Sequence, residues 1–314
     1  LDLNASYRIQ AAHDSPLASD AWFGTILRVH PDAAELPPPR LLCFDNQDQP
    51  LHSPPTCLTP LQLVTCSLPV VEDALLVGQQ MVFLKDDSIL AESIGRHSRR
   101  LGLVDAPGGM HALLNRKKLA LHRRRKAKGV QVHDGTTLLL ADLALHHYGT
   151  WLLKHAPKIG FIEHFGVPDP KVVVPVGVPS KHVDLIEALG VPRTHIVFQY
   201  PDEISQFERL AVPPKPYVTG RGLGGNPFWV FGVTESALDT PLPRGRRLYV
   251  SRRGGTRRVL RNQERVEDVF RAHAFEIVRP EKLSVAETQD AFCNCSFVAG
   301  PSGSGLFNVL FARR

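Results

Sequence analysis

LYVSRRGGTRRVLRNQERVEDVF (248–270), FEIVRPEKLSVAE (275–287) and FVAGPSGSGLFN (297–308) alternate short apolar runs with amphipathic stretches, and that alternation decides the fold. Val250, Ile277 and Val298 centre three expected strands, with helical spacing over 262–273 and 284–292 between them. Asn262 is placed to cap the first helix. Ser284 and Glu287 form a capping box at the second, each side chain meeting a backbone N–H that the helix end leaves unpaired. Strands joined by helices of this length require right-handed crossovers, so a parallel sheet is expected, with ligands bound beyond its carboxyl ends.

The third strand runs directly into the turn GPSGSG (300–305), and helical spacing resumes at Leu306, Val309 and Leu310. Glycines let backbone N–H groups approach an anion, and the following helix adds its positive dipole end. Arg252 and Arg253, at the end of the first strand, can supply the bidentate charge that phosphate oxygens favour. Taken alone, the glycine string reads equally well as a helix entry packed close to its neighbour. The strand before it, the helix after it and the arginines opposite favour a diphosphate site.

With HYGTWLLKHAPKI (147–159), these runs resemble glycosyltransferase family 61, which includes bacterial capsular-polysaccharide enzymes. The resemblance extends from about Gln80 onward and is firmest after Leu248. It implies an α/β, GT-B-like fold in which two Rossmann-like domains face a cleft and the carboxyl-terminal domain holds the donor. That domain is expected to be incomplete, since the family continues to a further strand where this chain ends at Arg314.

Matched by position, Arg252, Arg258, Asn262, Ser302, Gly303, Ser304, Gly305 and Asn308 become donor-site candidates. The resemblance implies inverting transfer from a nucleotide-diphosphate sugar to a glycan hydroxyl, with no cofactor and no bound metal. The sequence contains no DxD triplet. Three positions depart from the family pattern: Thr150 and Ser302 stand where histidines are usual, and Thr288 where a glutamine is usual. Hydroxyls donate hydrogen bonds but do not exchange protons near neutral pH as imidazole does. His147, beside His146, is therefore the candidate catalytic imidazole, and helix-entry surface is its plainer reading.

A length of 314 residues that are 43% hydrophobic suffices for two ordinary cores. Residues 1–92 read as an irregular β-rich part of the acceptor domain, with a hairpin about the turn 86–88. Residues 93–240 read as an α/β acceptor-side domain, with strands at 138–140, 172–176 and 196–198 and helices around Trp151 and over 180–189. Residues 241–314 form the nucleotide-sugar domain, reached through a proline-punctuated linker at 240–246 that is expected to act as a hinge. Trp151 falls in a core pattern with Leu152, Ile159 and Ile162, so packing is the expected role of its indole. The five cysteines show no CxxC spacing, which argues against a metal site.

Charge breaks every long apolar run, and a cytoplasmic location is expected. The cationic run 116–128 reads as a solvated face or as a dock for the inner membrane surface or an acidic acceptor. Two other classes stay open: a non-catalytic sugar-nucleotide or glycan-binding relative, and, for a chain of net charge +6, a nucleic-acid-binding protein. The basic run lacks aromatic residues for base stacking, which disfavours the last. Sugar, acceptor and linkage are not specified by these motifs.

Overall fold

The computed structural model describes most of residues 61–90, 130–213 and 245–312, with isolated strands elsewhere. The turn 86–88, the basic run 116–128, Arg258 and most of the linker 240–246 lie outside the described residues.

Among the described residues, ten strands form a mixed sheet. Those that bear on the site are β1 (Gly24–Val29), β2 (Cys66–Val77), β3 (Met81–Phe83), β4 (Ile89–Leu90), β5 (Gln131–Leu139), β6 (Lys171–Pro175), β7 (Ile196–Gln199) and β8 (Ile204–Ala211). Their spatial order is β4-β3-β2-β8-β5-β6-β7, with β1 beside β2. β8, β5, β6 and β7 run parallel, as the strand and helix alternation implies, and β2 joins β8 antiparallel. The expected hairpin is present, with Phe83 opposite Ile89.

β2 and β8 are the longest of the strands here that escape the sequence reading. Glu72 and Asp73 look like a break after the apolar residues 68–71, yet β2 continues through them. Asp73 adopts φ +49°, yet the register is kept on both sides of it, with Glu72 opposite Arg209 and Ala74 opposite Phe207. Both carboxylates are exposed, and Lys85 Nζ pairs with Asp73 at 3.0 Å. β8 is obscured because Leu210 and Ala211 are both buried, which interrupts its alternation.

Val172 and Val174 enter one core while Val173 enters another, and Leu138 and Leu140 alternate with Leu139 in the same way. Burial on both faces explains the unbroken apolar run of β6. Over the first core lies α1 (Tyr148–Thr150), continued by a π turn, Trp151–His155, and a 3-10 segment, Ala156–Phe165. Trp151 is fully buried and stacks on His182 with ring centres 4.7 Å apart, so its indole is core. His182 comes from α2 (Ser180–Ala188).

The carboxyl-terminal part is a three-stranded parallel sheet of β9 (Arg246–Val250), β10 (Glu276–Val278) and β11 (Cys295–Ala299), in the order β10-β9-β11. α3 (Gln263–Ala272) joins β9 to β10, and α4 (Val285–Cys293) joins β10 to β11. Leu248 and Val250 pack into the first core with Val285 and Phe292 of α4. Between them Tyr249 stacks on Phe270 of α3 at 4.2 Å, so the two helices cover opposite faces.

The capping box of α4 is formed: Glu287 N–H donates to Ser284 Oγ at 3.2 Å, and Ser284 N–H donates to Glu287 Oε2 at 2.7 Å. Asn262 stands at the N-cap of α3, but its side chain makes no capping bond. Its backbone, at φ −107° and ψ 34°, lies outside the extended conformation that aims a capping oxygen at the helix.

One apolar cluster spans both sheets, from Leu138, Trp151, Val174 and Leu185 to Leu248, Val285 and Phe292. An apolar interface of this kind couples the two parts. Truncating Phe292 to Ala is expected to lower stability by about 3–5 kcal/mol. Calorimetry is expected to show one cooperative transition in both proteins, and two separate transitions would mean the shared core does not couple them.

Candidate functional site

The three parallel strands of the carboxyl-terminal sheet deliver their exits to one edge. β9 ends at Ser251, Arg252 and Arg253, β10 at Arg279 and Pro280, and β11 at the turn 300–305. Since β9 is central and its helix α3 lies on the face opposite α4, the chain leaves β9 and β11 toward opposite faces. That divergence opens a crevice between their exits, the place where open α/β sheets bind ligands.

Arg252 fills one side of this crevice. Its Nη1 donates to Ser302 O at 3.1 Å, and a Cβ on Gly303 would overlap the guanidinium. Gly300 lies equally close to the strand, since a Cβ there would sit 2.7 Å from Val250 O. After the turn, Ser304–Phe311 forms a 3-10 helix whose first N–H groups have no intrahelical partner. Ser302, Gly303, Ser304 and Gly305 therefore gather around one cation and one helix start.

The two adjacent arginines have different surroundings. Arg253 pairs with Glu264 and lies 4.0 Å from Glu267 Oε2, both on α3, and its carbonyl accepts from Arg279 Nη2. Among the described residues no carboxylate pairs with Arg252. Glu267 is buried, and burial by itself would push its carboxyl up. Hydrogen bonds from Ser251 Oγ at 2.6 Å and from Gln263, with the charges of Arg271 and Arg253, hold it below the usual range. This anion anchors Ser251 and Arg253 to α3, leaving Arg252 to face the turn.

Across the crevice stand the segments that leave the carboxyl ends of β5 and β6. Tyr148 OH donates to Asn308 Oδ1 at 2.7 Å, and Asn308 Nδ2 donates to Gly305 O at 2.9 Å. Asn308 is fully buried, with its carboxamide engaged in fixing the turn to α1. Burial pushes the Tyr148 hydroxyl well up, so it stays a donor. Gly149 completes the contact, for a Cβ there would lie 2.8 Å from the Phe307 ring and 2.9 Å from Ser304 Oγ. α2 adds Lys181, whose Nζ donates to Leu283 O at 2.7 Å.

His147 is exposed at the N-cap of α1, and its Nδ1 accepts from Thr150 N–H at 3.0 Å. Thr150 Oγ1 lies 3.0 Å from the same nitrogen. With Nδ1 accepting a backbone N–H, the neutral ring carries its proton on Nε2 and presents a donor. His146 is also exposed, as is Asn262 on the loop that follows β9. Thr288 is buried in α4 with its hydroxyl donating to Ser284 O at 2.7 Å, so it serves the helix. Cys293 and Cys295 are free thiols, and Cys295 belongs to the shared core.

The structure thus brings Arg252, Ser302, Gly303, Ser304, Gly305 and Asn308 together and sets α1 against them. Tyr148, Gly149, Lys181 and Glu267 join the site without having been singled out. A carboxylate within reach of arginines along α3 is a weak signal for Glu267, and nothing local marks Lys181.

The family model described as Glycosyltransferase 61 matches residues 148–314. No protein of curated function matches the chain. The matched segment opens at Tyr148, so it contains both sides of the crevice.

Gly300 meets strand backbone, whereas Gly303 meets only the end of a flexible side chain. Gly300→Ala is therefore expected to lower stability in urea melts by about 1–3 kcal/mol, and Gly303→Ala to stay within about 0.5 kcal/mol. Gly303→Ala is nevertheless expected to weaken pyrophosphate binding in calorimetry, because its methyl displaces the Arg252 guanidinium. Equal stability of the two variants would contradict this geometry.

Proposed function

This chain belongs to glycosyltransferase family 61, and from that membership we propose an inverting sugar transfer from a nucleotide-diphosphate donor to a glycan hydroxyl. The observation that carries the donor site is Arg252, a cation with no paired carboxylate among the described residues, lying on the glycine turn at the crevice. In the transfer, the acceptor oxygen forms a bond to the anomeric carbon as the bond to the diphosphate breaks from the opposite face. The leaving diphosphate takes the electron pair. In this proposal Arg252 and the amides of the turn stabilise that charge without a metal, and its support is that Asn308 holds the turn through Tyr148.

The GT-B-like arrangement belongs to the same proposal. Its support is that segments leaving the parallel strands of one sheet meet the strand exits of the other, through Tyr148 with Asn308 and Gly149 with Ser304. Surface or capsular polysaccharide synthesis, a cytoplasmic location and peripheral membrane contact through 116–128 extend the reading from the sequence resemblance. No helix among the described residues is long and apolar enough to cross a membrane.

His147 is the proposed proton acceptor, and it can act only when its ring leaves the cap and frees Nδ1. The cap itself favours a second reading, a relative that binds sugar nucleotides without transferring the sugar, since the lone pair is already engaged by Thr150. His147→Ala is expected to lower turnover about a hundredfold or more with nucleotide affinity intact. Unchanged turnover would remove His147 from the mechanism.

Calorimetric titration of the chain with UDP, GDP and CMP tests the donor site. One nucleotide is expected to bind, and Arg252→Ala to weaken it about ten- to a hundredfold, the loss of a charge-assisted hydrogen bond. A folded chain that binds none of them would overturn the donor reading.

A further inference from the structure

We infer that Lys181 is a positioning residue that holds the donor turn in place from the opposite side of the crevice, so that the turn is set before any donor arrives. The inference rests on the donor-site reading only for its effect on nucleotide binding.

Lys181 is the second residue of α2, on the segment that leaves the carboxyl end of β6. Its Nζ donates to Pro280 O at 2.5 Å and to Leu283 O at 2.7 Å, 99 and 102 positions away in sequence. These carbonyls bracket the single 3-10 turn Pro280–Lys282, which follows β10 and leads into α4. The ammonium also lies 5.6 Å from the centre of the Tyr148 ring, within cation–π range. Burial pulls the Lys181 ammonium below its usual range, against the charges of Glu281 and Glu287, which favour it.

Two routes run from Lys181 to the donor turn. Through Pro280 it reaches Gly305, where a Cβ would lie 3.8 Å from Pro280 Cγ and 2.9 Å from Val250 Cγ1. Through Tyr148 it reaches Asn308, whose amide closes on Gly305 O. Both routes end at Gly305. A tether formed only by packing would tolerate small shifts, whereas an ammonium shared between two carbonyls fixes their separation and direction. The expected hinge between the halves would have to break this tether together with the shared core.

The test compares the full chain with Lys181→Met and Lys181→Arg by amide hydrogen exchange and by titration with UDP, GDP and CMP. Lys181→Met is expected to speed exchange about tenfold or more in peptides covering 280–287 and 303–311, while β9 keeps its protection. It is also expected to weaken the nucleotide that binds by about tenfold, and Lys181→Arg to recover most of that loss. Faster exchange confined to α2, or none at 303–311, would overturn the inference. Should Lys181→Met fail to fold, Lys181→Gln, which keeps an N–H donor without the charge, is read in the same way. If no nucleotide binds even the unmodified chain, the donor reading fails while the exchange result still decides the role of Lys181.

Discussion

An apolar core shared by the two sheets is the constraint on which the rest of the structure depends. Leu138 and Val174 enter it from one sheet, Leu248 and Val250 from the other, with Trp151 and Phe292 among the side chains that fill it. Apolar burial has no direction of its own, so it brings the halves together without specifying their register. The register comes from close approaches that tolerate no extra atom, chiefly Gly149 against Phe307 and Ser304. Burial supplies the attraction and steric fit selects the orientation.

Once the halves are fixed, polar groups at the seam acquire defined partners. Tyr148 and Asn308 satisfy each other there, and leaving the fully buried Asn308 unpaired would carry the desolvation cost of a buried polar group. The same logic divides the adjacent arginines. Glu267 is buried and must keep its charge compensated, which draws Ser251, Arg271 and Arg253 toward α3. Arg252, one residue earlier, has no such claim on it and stays available to an anion at the turn. On the proposed donor reading, such a cation would meet the charge that develops on a departing diphosphate.

α3 and α4 were legible in the sequence because local pattern specifies them. Apolar spacing marked both helices, and the Ser284 and Glu287 pair marked where the second begins. The glycine turn was legible for a similar reason, since a strand that runs directly into it leaves few conformations open. β2 was obscured by its acidic pair, because two consecutive exposed residues interrupt an otherwise buried run. Asn262 misled in a smaller way: its residue type suits a cap, but its backbone torsions do not. Residue type records propensity, and torsion angles are set by the loop that delivers the residue.

By itself, then, the sequence determined the parallel α/β units, the placement of a glycine turn at a strand end, and the family through several motifs in order. The tertiary structure alone decided which arginine faces the turn, that Asn308 holds it rather than standing free, and that Tyr148 and Lys181 pack against the segments around it. The physical reason is separation along the chain. Tyr148 and Asn308 are 160 residues apart, and Lys181 and Leu283 are 102 apart. Contacts of that span leave no periodicity or spacing to read, because they form only after both cores have closed.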